Sequence, residues 1–351
     1  MIPILAEFAI IGKDLSLLEN VKIIVDDTNN IIEIEESSRE IHNNVALIPG
    51  FFNAHVHAAD IGLRGAAYGS LNELVGKEGI KHRYLNQMSE DQLNESLKRA
   101  FQEAINSGIL GWSDFREGGI DGLKPYPVED SLYHLAFGRP SNRELGDISK
   151  FSNIGIMDVK AYSEGEIKIL LKNINRKSQK LFIHASESLN LRKTWITDFG
   201  VSDIKWSLDV LKPDAIIHVT HANMDDIVEM SKTKTGAIIC LRSNQFTKTG
   251  TPPVESLVES GLPLGIGTDN AMFSKLSLWD ELHSLKNYIE PERLFSIATI
   301  EGAQLCGIEW GISKRNTNFI ELQIPKHVQV RDLKEWIINN GTEKDILKIW
   351  R

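Results

Sequence analysis

Residues 49–57 read Pro49-Gly50-Phe51-Phe52-Asn53-Ala54-His55-Val56-His57. An apolar run interrupted by Pro49 and Gly50 leads into two histidines one residue apart. Side chains alternate across a strand, so His55 and His57 point to the same face, and at a strand's carboxyl end both imidazoles can reach one metal ion. A lone His-x-His decides nothing. The chain, however, repeats the arrangement of an apolar run with a polar group at its carboxyl side. Leu181-Phe182-Ile183-His184 is followed by Ala185-Ser186-Glu187, Ile216-Ile217-His218 by Val219-Thr220-His221, and Leu264-Gly265-Ile266-Gly267 by Thr268-Asp269-Asn270. Barrel enzymes place their chemistry at the ends of several different strands, which is the pattern these four runs draw.

Counting outward from the first run gives the fold. Candidate strands are Ile109 to Phe115, Leu132 to Phe137, Ile154 to Val159, Leu181 to His184, Ala215 to Val219, Ala237 to Leu241 and Leu264 to Gly267. With the run ending at His57 they make eight, separated for the most part by helical stretches. Ser89 is placed to cap one helix, because Glu90, Asp91 and Gln92 fill its first turn and Leu93, Leu97, Ala100 and Ala104 keep helical spacing. Thr251-Pro252-Pro253 is placed to open another. Strands alternating with helices mean a parallel barrel or a doubly wound sheet, and eight favours a (β/α)8 TIM-like barrel. Val21 to Val25 and Ile31 to Ile34 flank a turn-rich Asp26-Asp27-Thr28-Asn29-Asn30, and Phe319 to Ile324 and Asp345 to Trp350 return to strand-like patterning. A small β-sandwich domain built from both termini is expected, with boundaries at residues 1–46, 47–310 for the barrel, and 311–351.

Three imidazoles and one carboxylate suit a borderline divalent ion. His55, His57, His184 and Asp269 are the expected ligands, zinc the expected metal, with iron(II) or manganese(II) as alternatives. A water in the open position would ionise near neutral pH. Glu187 is then placed to shuttle protons, Asp269 to accept the water's proton, and His218 to hydrogen-bond a developing oxyanion. His221, already past its strand, is expected to stand behind the ligands in support or to be structural. His42, His82, His134, His283 and His327 lack a partner pattern.

Net charge is −9, which argues against nonspecific binding to nucleic acid or anionic membranes. No run of about 20 apolar residues predicts a membrane span, and Met1 to Gly12 lacks the basic start of a signal peptide. Two cysteines, Cys240 and Cys306, are too few for a disulfide framework in a chain of 351 residues, so free thiols and a cytoplasmic protein are expected. Their separation also excludes the Pro-Cys-x-x-Cys zinc site of cytidine deaminases. Gly265-x-Gly267 lacks the glycine and helix spacing of a dinucleotide site.

Together these residues resemble the amidohydrolase superfamily, in its chlorohydrolase and nucleobase-deaminase branch. The opening is similar to the branch's Pro-Gly-x-x-Asn-x-His-x-His, His184 with Glu187 to its His-x-x-Glu, Gly267-Thr268-Asp269 to its metal-ligand turn, and His218 to its catalytic histidine of the sixth strand. Leu241-Arg242-Ser243-Asn244 followed by Pro252-Pro253-Val254 resembles its seventh-strand segment. The resemblance covers roughly Leu47 to Cys306. It implies one metal ion, a small-molecule substrate and a homo-oligomer, a dimer. It implies hydrolytic deamination of a nitrogen heterocycle, in which activated water attacks an amidine-like ring carbon and ammonia leaves. Opening of a cyclic amide as in imidazolonepropionase, removal of a halide, and a barrel scaffold without catalysis are the alternatives. Three departures stand out. The helices between strands two and five look trimmed. The segment Gly155 to Lys160 carries no substrate-binding histidine, although Lys160 raises the option of a carboxylated bridge between two metals. Asn316-Thr317-Asn318-Phe319 replaces the usual Ala-Asp step of the small domain.

Arg64, Arg116 and Arg242 follow or end strands one, two and seven, and Arg139 follows strand three. Guanidinium forks bind carboxylates and phosphates, so Arg64, Arg116 and Arg242 are expected to receive a substrate with an anionic group. The competing expectation is that such arginines pair with the barrel's own carboxylates, Glu117 among them.

Overall fold

A computed structural model describes the chain except residues 77, 125–131 and 158. Its centre is a parallel barrel. Strand one, Phe51–His57, pairs with strand two, Ile109–Arg116. The order continues through strands three, Tyr133–Gly138, four, Asn153–Ile156, five, Leu181–Ala185, six, Ala215–His218, and seven, Gly236–Ile239. Strand eight is broken. Its first half, Leu264–Ile266, pairs with strand seven; its second half, Asp269–Asn270, pairs with strand one, Asp269 opposite Val56 and Asn270 opposite His57. Those two ladders close the ring. Every residue of strands one, two and five is buried, which is why these segments read as unbroken apolar runs.

Several expected bounds move. The fourth strand stops at Ile156, a short 3-10 turn occupies Val159–Ala161, and position 158 of the expected strand lies outside the described residues. Leu241 begins a helix, Leu241–Phe246, so Arg242 is helical and does not end a strand. The helix after Ser89 runs Glu90–Asn106, with Ser89 and Gln92 capping each other's backbone amides. The helix expected at Thr251 starts at Val254. Between strands two and five the described residues form one five-residue helix, Gly119–Leu123, three short 3-10 turns and one ten-residue helix, Glu164–Asn173, so the expected trimming holds up to strand four but not between strands four and five.

Strands from both termini form one hydrogen-bonded sheet of six. The order is Ile346–Trp350, Phe319–Gln323, Val45–Pro49, Ile2–Ile11, Ser16–Val25, Ile31–Glu36, and all pairs except that of the third and fourth are antiparallel. Its own apolar layer includes Ile4, Val21, Ile23, Leu47, Phe319 and Trp350. The chain passes from this sheet into barrel strand one through Gly50. A side chain there would meet Leu110 at 2.5 Å, so only glycine permits the crossing. Among the described residues no helix is long and apolar enough to cross a membrane. Both cysteines are free and buried.

Candidate metal centre

Strands one, five and eight bring four side chains to one point. The ligating atoms of His55, His57, His184 and Asp269 all lie within 4.8 Å of one another, and all four residues are buried. His55 Nε2 stands 3.2 Å from both His184 Nε2 and Asp269 Oδ1, and His57 Nε2 stands 3.7 Å from the same carboxylate oxygen. Burial holds the His55 imidazole below its ordinary pKa and those of His57 and His184 well below, which keeps the rings in the neutral form that binds metal. His184 Nδ1 donates to the Ile156 carbonyl at 3.2 Å, leaving the lone pair of Nε2 aimed at the cluster. Burial alone would raise the Asp269 carboxyl. The hydrogen bond from His55 leads the contributions that outweigh it and hold the group well below the usual carboxylate range. The Ser243 hydroxyl donates to its other oxygen. Buried neutral imidazoles around an ionised carboxylate fit a divalent cation.

The backbone at this rim is strained. Ser186, His218, Val219 and Asp269 all have positive φ, at 50°, 72°, 46° and 58°. A β-branched valine in that region is an outlier, and such conformations collect at functional sites.

Glu187 and His218 face each other beside the cluster, Glu187 Oε1 standing 3.7 Å from His218 Nε2. The Glu187 side chain keeps 17% of its surface exposed, enough to meet a substrate. Burial still pushes its carboxyl above the ordinary range. His218 Nδ1 bonds the Asn244 side-chain oxygen at 3.0 Å, and the Asn244 amide in turn donates to Thr220 Oγ1 at 2.7 Å. That chain orients the imidazole with Nε2 toward Glu187.

Arg64, Arg116 and Arg139 are hydrogen-bonded within the protein. Arg64 donates to the carbonyls of Ala271 and Ser274 and pairs with Glu103 at 2.5 Å. Arg116 is buried against Asp114 at 3.3 Å and the Gly122 carbonyl. Arg242 lies 3.5 Å from both Asp280 and Glu281. Arg139 pairs with Glu117 at 3.3 Å. All four lie against acceptors of the protein itself, although Arg242 Nη1 makes no hydrogen bond. Lys160 pairs with Asp198 at 2.6 Å and lies over the Trp195 ring, a setting that does not make it a bridge between metals. His221 bonds the Thr249 carbonyl at 2.6 Å.

Residues 142–312 match the amidohydrolase family. An uncharacterized protein of Methanocaldococcus jannaschii is 30% identical over 317 residues, covering 85% of this chain and 83% of that one. The chain belongs to the amidohydrolase family. It is a hydrolase of carbon–nitrogen bonds. A putative aminohydrolase of Archaeoglobus fulgidus is 29% identical over 84% of the chain and 86% of that protein. Among solved structures, guanine deaminase of C. acetobutylicum with bound guanine shares the fold at a TM-score of 0.81 and 16% identity, covering 99% of this chain and 98% of that one.

The amidohydrolase site also contains Lys81, which sequence patterns did not single out, and Asn53, Ser243 and Asn244, which the motifs contained without a role. Lys81, on the helix Ile80–Gln87, is fully buried with Nζ 3.0 Å from His57 Nδ1, 3.1 Å from Asp60 and 3.3 Å from Glu117. Burial works against its charge, but the two carboxylates outweigh it and raise the pKa. Its sequence setting, Ile80-Lys81-His82-Arg83, reads as a solvated basic turn. Asn53 ties the two ends of the barrel closure, donating to Thr268 Oγ1 at 2.7 Å and accepting the Thr268 amide at 3.1 Å. Ser243 and Asn244 follow an apolar run, so the rule that found His184 would have found them.

Proposed function

We propose that this amidohydrolase is a hydrolytic deaminase of a nitrogen heterocycle, with one zinc ion held by His55, His57, His184 and Asp269. The observation that carries the reading is the placement of four buried ligating side chains beside a facing Glu187–His218 pair. When bound, the metal would acidify the attacking water. The chain's own groups do the rest. Glu187, its carboxyl pushed above the ordinary range by burial, can take a proton and return it to a ring nitrogen or a departing amine. His218, anchored through Asn244, presents Nε2 to the oxygen added at the ring carbon. Asp269 stays ionised and can accept a proton while serving as a ligand. The names of the Archaeoglobus aminohydrolase and of the guanine deaminase support ammonia as the leaving group. Arg64 and Arg116, engaged by the protein's own acceptors, lend no support to an anionic substrate.

The test is ammonia release from guanine, cytosine, adenosine and 5'-substituted adenosines by protein stripped of metal and reloaded with zinc. One ion per chain and release from at least one member are expected, with Glu187→Gln lowering kcat by about 10²–10⁴-fold. A zinc-loaded protein that releases no ammonia but opens a cyclic amide or frees chloride overturns the deaminase assignment. A protein that takes up no zinc, iron or manganese overturns the metal site itself.

A further inference from the structure

Strand five ends at Ala185, and the chain must then turn between His184, which faces the metal cluster, and Glu187, which faces His218. The turn residue is Ser186, at φ 50°. Glycine would adopt that conformation freely; serine needs the surroundings to impose it. Every polar group of Ser186 is engaged. Asp203 accepts its backbone N–H on Oδ2 and its hydroxyl on Oδ1, each at 2.5 Å. Arg192 Nη1 donates to the same hydroxyl at 3.3 Å, and the His221 N–H donates to its carbonyl at 3.0 Å.

The clamp is itself anchored. Asp203 is the first residue of the helix Asp203–Val210 and is buried. Arg192, on the helix Leu189–Phe199, pairs with Asp226 of the helix Met224–Thr233 at 2.5 Å, and Ser202 donates to the other oxygen of Asp226 at 2.5 Å. Three helices outside the barrel thus converge on the one residue that separates a metal-facing histidine from a proton-carrying carboxyl. A rotation of the Ser186 peptide would swing Glu187 away from His218.

We infer that Asp203 is a positioning residue for Glu187: by gripping the amide and hydroxyl of Ser186 it holds the left-handed turn that sets the Glu187 carboxyl opposite His218. The inference rests on Glu187 being the proton carrier. Its test therefore uses a probe that needs no substrate, cobalt(II) in place of zinc, whose visible spectrum reports the metal's surroundings as pH is varied. Wild type, Glu187→Gln, Asp203→Asn, Ser186→Ala and the Asp203→Asn/Glu187→Gln double variant are compared. Each is expected to bind one cobalt per chain. The spectral midpoint should move in the same direction in all three single variants, and Asp203→Asn should add nothing to Glu187→Gln. On any substrate that releases ammonia, Asp203→Asn should lower kcat by about 10–100-fold at unchanged KM, the size usual for residues that orient an active group.

A midpoint that moves in Glu187→Gln but stays at the wild-type value in Asp203→Asn overturns the inference alone. So does an Asp203→Asn effect that is fully additive with Glu187→Gln. A Glu187→Gln variant with the wild-type midpoint removes both the inference and the role of Glu187 beneath it. If Asp203→Asn does not fold, Ser186→Ala carries the same comparison, since it keeps Asp203 and deletes only the hydroxyl it holds.

Discussion

Glu281 lies on the helix Leu278–Leu285 with no exposed surface, and its Oε1 has no hydrogen-bond partner. Burial raises its carboxyl to about 8, against the opposing charge of Arg242. It accepts the Arg242 backbone amide at 3.5 Å, at the start of the helix that carries Ser243 and Asn244, so its protonation bears on the supports of Asp269 and His218. The folded state keeps this proton in a window where the unfolded chain, with an ordinary carboxyl, has released it. Folded stability from this group therefore falls as pH rises from about 4.5 to about 8, and levels off above. Glu281→Gln removes the titration while keeping the shape. The variant should gain on wild type as pH rises, by on the order of several kcal/mol between pH 5 and pH 8.5. Thermal unfolding of both proteins at the two pH values measures this, and parallel pH dependence would refute it.

Strand eight shows how an element can be only half legible. Leu264 to Gly267 reads as a short buried strand, but its continuation, Asp269–Asn270, is two residues long and carries no period. The break at Gly267 and Thr268 lets one strand pair with strand seven first and strand one afterward. At Gly267 a side chain would sit 2.7 Å from His55 Cβ and 2.8 Å from the His55 carbonyl. Gly267→Ala must therefore separate strands eight and one where Asp269 meets His55. It should cost about 1–3 kcal/mol as overpacking does and weaken zinc affinity about tenfold or more, measured by competition with a chelator. Gly146→Ala, with open space around it, should change neither. Elsewhere the same physics decided what could be read. Barrel strands buried on both faces stood out, and so did ligands placed just after them. The helix Leu333–Asn340 was hidden in a tail whose flanking runs look like strands, because Leu333, Ile337 and Ile338 supply too short a helical stripe. Lys81 and Asp203 stayed invisible because a charged residue on a helix reads as solvated until the fold buries it against partners.

The whole molecule is tied together at its metal-facing rim. The four candidate ligands come from strands one, five and eight, so residues as far apart in sequence as His55 and Asp269 meet in one cluster. The second half of strand eight closes the barrel through two residue pairs, and one of those residues is the candidate ligand Asp269. A bound ion would link this weak seam to strand five across the barrel mouth. It would bind the folded state and find no assembled site in the unfolded chain, so metal occupancy must appear as global stability. At a free zinc concentration of about 1,000 times Kd the gain is about 4 kcal/mol. Stripped protein should therefore melt several degrees below reloaded protein, with the gap growing as the logarithm of zinc concentration. His184→Ala and Asp269→Asn should lose most of that dependence, because each removes the only ligand contributed by its strand. A melting temperature that rises with zinc equally in wild type and both variants would mean the stabilising ion binds somewhere other than this rim.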